Sequence, residues 1–446
     1  MKNHLWRLFL LMLVFSLAAG CSSDDVSDEE AALTATIRST WGDKLVALDA
    51  EPPYPPTNSP ASAGFDSRID LGKALFYDPV LSGDNDVSCA HCHHPGFAWG
   101  DGIALSIGVG GVGLGPDRAR TLPPGEAELE EWEFMTPRNS PSVLDTGRFA
   151  PAPGNDPWEG VMFWDGREDS LEKQARGPLR SRDEMKHDAY GAPAAVGMVC
   201  EELKTIPEYI TMFKAAFPDE FAQIDAAGDP DSDIIDAGNY SRAVAAYERE
   251  LYTADSPFDR FARGDDSALS MSQKRGLKLF FDVGCDGCHS GAMFSDFGFY
   301  ALGVAQGGPG KPPIHEHGDG NDLGRYGNTT MDEDRYRFRA PSLRNLSLTA
   351  PYFHTGGTGT AGDYQTLRQV VEFFNRGGND LAIEASRLDD FMEPQGLGDT
   401  EMDDLVAFLE SLTGTRIGSS RIDVRVPTSV PSGLAPPAVL EPVLSN

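Results

Sequence analysis

Apolar residues recur at helical spacing in short stretches of this chain, and between those stretches the pattern has no period. Stretches 267–281 and 400–412 place apolar side chains three and four positions apart, as a single buried helix face requires. The second opens on acids and meets Gly414 just past its end, ordinary start and stop signals for a helix. Runs that alternate as strands do are few. Segments 102–125 and 307–327 are rich in glycine and too long for simple connectors, so they are expected to wrap whatever the protein binds. Residues 416–446, rich in Pro, Ser and Val, lack a helical period and read as an extended tail. The expected fold is mostly α, with long irregular loops.

The pattern also repeats. Gly72-Lys73-Ala74-Leu75-Phe76-Tyr77-Asp78 is echoed by Gly276-Leu277-Lys278-Leu279-Phe280-Phe281-Asp282. Arg138-Asn139-Ser140-Pro141-Ser142-Val143 returns as Arg339-Ala340-Pro341-Ser342-Leu343, and Phe163-Trp164-Asp165-Gly166 as Phe353-His354-Thr355-Gly356. Three blocks in the same order imply two homologous halves. A break near 252–266 divides them, giving expected domains over 66–255 and 256–415.

The start of the chain changes the picture of where it works. Lys2 and Arg7 precede an apolar run over 8–19, which is shorter than the roughly 20 residues that cross a bilayer, so 1–20 reads as an export signal. Small residues directly before Cys21 look like a bacterial lipoprotein cleavage box, which makes Cys21 the expected lipidated residue of a periplasmic protein anchored to a membrane. An ordinary secretory signal, with Cys21 incidental, is the alternative. Residues 21–65 open with acids and end in Pro52-Pro53-Tyr54-Pro55-Pro56, so they read as a short helix followed by a stiff tether. The net charge of −32 argues against nucleic acid as a partner and suits a basic protein, although acidity that only keeps an exported protein soluble explains it equally well.

Six cysteines stand in the chain. Besides Cys21, four fall in two C-x-x-C-H motifs, Cys89/Cys92/His93 and Cys285/Cys288/His289, and Cys200 is left single as an expected buried thiol. In such a motif the thiols are spaced to bond the two vinyl groups of one porphyrin while the adjacent imidazole ligates iron. Zinc would need four ligands, and neither motif has a second pair nearby. Each motif follows the same helix in a duplicated, exported chain, so two covalently bound haem c groups are expected. His91 and His94 flank the first motif and cannot reach the opposite face of the iron; they read as surface or propionate contacts.

These motifs, with R-N-S-P-S-V, F-W-D-G-R, L-E-K-Q-A-R-G-P and L-T-A-P-Y-F-H between and after them, resemble the di-haem bacterial cytochrome c peroxidase family, which includes the methylamine-utilisation protein MauG. The similarity runs over about 66–414. It implies two cytochrome c-like domains, a peroxidatic haem in the N-terminal half and an electron-transfer haem in the C-terminal half. Phe163, Gln174 and Glu184 match the family's positions around the peroxidatic site, with Glu184 as acid–base and Gln174 orienting peroxide. On the residues alone, Gln174 and Glu184 also read as polar positions of an amphipathic segment over 171–185. Trp164 matches the tryptophan between the haems, with core packing as its plainer role. Asn139, Thr349 and Pro351 match a family calcium site, and oxygen ligands suit that ion. The resemblance further implies hydrogen peroxide as substrate, and as partner a small electron-donor protein, cytochrome c or cupredoxin, or a protein whose Trp or Tyr side chains are oxidised in the MauG manner. A non-catalytic electron carrier is a third reading.

Two departures from the family stand out. Many family peroxidases cap the N-terminal iron with a histidine in the loop after the first motif, whereas 95–186 contains none. Relatives also place Met or Tyr where this chain has Phe374, which cannot ligate, so Met392, Met331 or no side chain is left for the sixth position of the C-terminal iron. His354, close to that haem in the motif, is expected to tune it or to be a hydrogen-bonded structural residue.

Overall fold

The computed structural model describes residues 28–48, 51–120, 135–149, 160–306, 321–357 and 364–446. The signal segment and Cys21 lie outside these residues, as do parts of the loops 102–125 and 307–327.

Each half is organised on one helix crossing. Helix Phe65–Tyr77 lies against Ala237–Glu250, and helix Met271–Asp282 against Asp399–Glu410. The repeated glycine at the head of each echoed block makes the contact possible. A Cβ on Gly72 would stand 2.0 Å from the Ala243 carbonyl oxygen, and one on Gly276 would stand 1.9 Å from that of Asp404. No side chain fits there, so the backbones approach directly. The helix predicted over 267–281 starts later, because Ser270 and Gln273 cap its first turn reciprocally, while 266–268 form a separate 3-10 turn.

Segment 171–185 is not one helix. It runs as a short turn Leu171–Gln174, a 3-10 turn Pro178–Arg180 and a π turn Arg182–Lys186. Pro178 has no N–H to continue the ladder, and the break frees the acid-bearing turn to point elsewhere.

Strand structure among the described residues is confined to two-residue ribbons: Gly111–Val112 with Ala119–Arg120, Thr253–Ala254 with Arg416–Ile417, and Phe299–Tyr300 with Phe338–Arg339. The fold is therefore mostly helical. No described helix is long and apolar enough to cross a membrane.

Both ends of the described chain pack on the half farther away in sequence. Helix Asp28–Trp41 inserts Ile37 into the C-terminal core, and Trp41 stacks on Phe281 at 5.2 Å. The tail returns to the N-terminal half, where Ile422, Val424 and Val426 join Trp99 and Tyr247 in one cluster. Asp423 and Arg425 between them are exposed, so this stretch alternates as a strand would, with no neighbouring strand to pair among the described residues.

Candidate functional site

The first C-x-x-C-H motif forms a single helical turn, Cys89–Cys92. Ser88 and His91 cap it: the Ser88 N–H donates to His91 Nδ1 at 2.9 Å. Burial, with Arg118 nearby, drops His91 to about 3, so it stays a neutral acceptor. His94 is wholly buried; its Nδ1 accepts from the Gly96 N–H and its Nε2 bonds the Ala438 carbonyl of the tail at 3.1 Å. Both histidines fasten backbone groups; the burial of His94 corrects the expectation of a surface position for it, while His91 stays partly exposed.

The two motif histidines share one arrangement. His93 Nδ1 lies 3.2 Å from the Trp99 carbonyl, and His289 Nδ1 lies 2.9 Å from that of Phe294. A carbonyl only accepts, so Nδ1 carries the proton and Nε2 is left as the ligating nitrogen. Burial holds His93 down to about 4 and lowers His289 as well, which keeps both imidazoles neutral as ligation requires. Cys285, Cys288 and His289 line a cavity of about 590 Å³, in the range of cofactor sites. Two thiols and one neutral imidazole per site, with this apolar space at the second, fit haem c at both motifs. Cys200 is buried elsewhere, and burial pushes its thiol up to about 11.

Of the distal candidates, Glu184 is the one that the structure relates to the first motif. Burial raises the Glu184 carboxyl, and the Arg167 guanidinium pulls the other way. Glu184 also contributes to raising the thiols of Cys89 and Cys92, after burial and other acids, which puts it within electrostatic reach of the motif. The π turn that carries it is clasped on both sides. The Gly83 N–H donates to the Met185 carbonyl at 2.8 Å, and a Cβ on Gly108 would stand 1.9 Å from the Asp183 carbonyl oxygen. Phe163 has a left-handed backbone (φ +65°), and its ring abuts Gly177, three residues after Gln174.

Arg167 is a neighbour of these candidates that sequence reasoning passed over. Its guanidinium covers the Phe163 ring at 3.5 Å, bonds Asp165 through Nη1 at 3.0 and 3.1 Å, and is the leading cation acting on Glu184. It was visible only as the last letter of F-W-D-G-R.

Trp164, next to Phe163, faces the other site and lines the second cavity. Its Nε1 donates to the Asn139 carbonyl at 3.0 Å. His354, its counterpart in the repeat, lines the same cavity, stacks on Phe338 at 3.6 Å and meets Trp164 edge-on at 6.3 Å. Beneath them Arg138 joins Asp322 and Asp165, and the guanidinium holds both carboxyls below the usual range although burial opposes it. Asn139, Thr349 and Pro351 all line this cavity, while Asn139 Nδ2 donates to the Ile103 and Ala104 carbonyls. Among the described residues no group of three or more His, Cys, Asp or Glu could hold a metal ion. Phe374 lines the cavity; Met331 is exposed at the surface, and Met392 packs at Gly378.

The sequence pattern of the di-haem cytochrome c peroxidase family matches residues 66–267. The chain is 34% identical over 351 residues to the methylamine utilization protein MauG of Methylorubrum extorquens, covering 77% of this chain and 78% of that protein. It is likewise 34% identical over 349 residues to the cytochrome c551 peroxidase of Pseudomonas aeruginosa, covering 78% and 79%. A crystal structure of a MauG-like protein associated with microbial copper homeostasis superposes with a TM-score of 0.61 at 26% identity, over 83% of this chain and 95% of that one.

Proposed function

Since this chain belongs to the di-haem cytochrome c peroxidase family, we propose that it reduces hydrogen peroxide at the N-terminal site, with electrons arriving through the C-terminal site from a small redox protein. The observation that carries this reading is the half-buried Glu184 carboxyl within electrostatic reach of the first motif, countered by Arg167. Haem iron supplies the redox chemistry, in which peroxide takes up two electrons and two protons and leaves as two waters. Glu184 is the group that moves a proton from the near oxygen of peroxide to the leaving one, and its raised pKa brings it closer to working pH for both halves of that transfer. Gln174 orients the peroxide. Phe163, wedged between Arg167 and Gly177, limits water at that face. Trp164 and His354 bridge towards the C-terminal cavity.

The test is stopped-flow reaction of the holoprotein with peroxide, alongside steady-state turnover with reduced cytochrome c. Removing the acid in Glu184→Gln should slow the peroxide step by about 10²- to 10⁴-fold, the usual contribution of general acid–base catalysis. An unchanged rate would overturn the assignment.

A second reading, oxidation of Trp or Tyr side chains on a partner protein, is favoured by Phe374. A ring that cannot ligate stands in the cavity wall where a thioether would have raised the haem potential, and losing it weakens this site as an acceptor from cytochromes. Fast reaction with peroxide but negligible turnover with cytochrome c would select this reading. Export with lipid attachment at Cys21, and calcium held through Asn139, Thr349 and Pro351, belong to the same proposal. Loss of membrane association in Cys21→Ser, and a calcium-dependent melting temperature, check them.

A further inference from the structure

Arg339 is a buried cation with no carboxylate paired to it among the described residues. It is 5% exposed, lies in the wall of the C-terminal cavity, and its Nη1 has no hydrogen-bond partner. The remaining contacts are neutral. Nε donates to the Phe163 carbonyl at 3.1 Å, and the guanidinium sits over the rings of Phe149 at 4.6 Å and Phe297 at 5.7 Å. Burial alone lowers its pKa, to about 10, and no carboxylate raises it. Nearby arginines are satisfied in other ways: Arg344 pairs with Asp259 at 3.1 Å, and the partly buried Arg138 pairs with two aspartates. Arg68 and Arg118, also buried, spread their N–H groups over several backbone carbonyls. An isolated charge in such surroundings is costly unless an anion joins it.

We propose that Arg339 is an anion site for a carboxylate, namely a propionate of the porphyrin bound in this cavity. The pairing rests on the cavity being the second haem site and is independent of what the protein does with peroxide. A guanidinium offers two parallel N–H groups to a carboxylate, and Nη1 is the group left to use. Arg339 therefore fastens the cofactor to the segment between the sites, because its side chain also holds the Phe163 carbonyl and its backbone N–H donates to the Trp164 carbonyl at 2.8 Å. Its positive charge favours the reduced form of the second haem.

Spectroelectrochemical titration of the full-length holoprotein tests this, with the first haem as internal reference. Arg339→Gln should shift the second midpoint to more negative potential and leave the first nearly unmoved, and Arg339→Lys should keep most of the wild-type value. Equal midpoints in wild type and Arg339→Gln would overturn the proposal. A solvent anion in the same place would make the wild-type midpoint depend on chloride concentration at constant ionic strength, which would also overturn it; independence of chloride supports the propionate. Should Arg339→Gln fail to load haem, the propionate bending bands in resonance Raman spectra decide. They should differ between wild type and Arg339→Lys, and identical bands would refute the pairing.

Discussion

Asp145 and Asn345 occupy the same position in the two copies of the repeat and bond to each other, Asn345 Nδ2 donating to Asp145 Oδ2 at 2.9 Å. Each has a left-handed backbone, φ +60° and +62°, and each follows a serine that braces its loop, Ser142 on the Ala98 carbonyl and Ser342 on that of Met293. Asp145 also accepts from the N–H and the hydroxyl of Thr253, the residue that begins the ribbon to the tail. The two halves thus meet through equivalent residues. Asp145→Ala strands three buried donors and should cost about 3 kcal/mol or more, at about 1 kcal/mol or more for each. Urea unfolding with Asn345→Ala as the second arm of a double-mutant cycle should return a coupling energy well above zero.

Gly72 and Gly276 make matching predictions. Alanine at either position drives a methyl into a carbonyl oxygen of the facing helix, and overpacking of this sort costs about 1–3 kcal/mol, occasionally more. Thermal melts followed at the Soret band should show each half weakened by its own substitution. Equal stability of both variants with wild type would mean that the helices can separate freely.

Gly108 positions the proposed acid without touching peroxide. A methyl there collides with the turn Arg182–Lys186, so Gly108→Ala should displace Glu184 and slow the peroxide reaction by about 10- to 100-fold, since a displacement near 1 Å can have that effect. Haem content and the midpoint of the second haem should remain at wild-type values.

The chain offers no histidine over 95–186 to cap the first iron. His187, just beyond, is engaged with Asp84 at 2.7 Å. The electron paramagnetic resonance spectrum of the fully oxidised holoprotein should therefore contain a high-spin component, and peroxide should react without prior reduction. Two low-spin haems would contradict this.

Glu248 gives stability a pH dependence. It is buried on helix Ala237–Glu250, and burial, with Glu172 adding and Arg249 opposing, pushes its carboxyl up to about 8 from an ordinary 4.5. Between those values the native state keeps a proton that the unfolded chain releases, so stability falls as pH rises through that window. The slope from one such group is at most about 1.4 kcal/mol per pH unit. Glu248→Gln should flatten the unfolding free energy across this range, as denaturant titrations at several pH values would show.

The covalent logic of the protein is legible in its sequence. Two C-x-x-C-H motifs, the repeated blocks and the helical spacing were enough to identify haem chemistry, duplication and a mostly helical fold, because all three depend on residues close together in the chain. The break at Pro178 could have been suspected from the proline, yet the polar spacing of 171–185 concealed it. The alternation of Ile422, Val424 and Val426 was present too, but nothing local says that these residues cover the core around Trp99. Charge relationships were beyond sequence reasoning altogether. Arg167 opposite Glu184, Arg138 between two aspartates, and Arg339 with no carboxylate beside it among the described residues differ only in what the fold brings next to them. Burial and electrostatic pairing act through space between segments far apart in the chain, so only the tertiary structure distinguishes a paired arginine from one that awaits an anion.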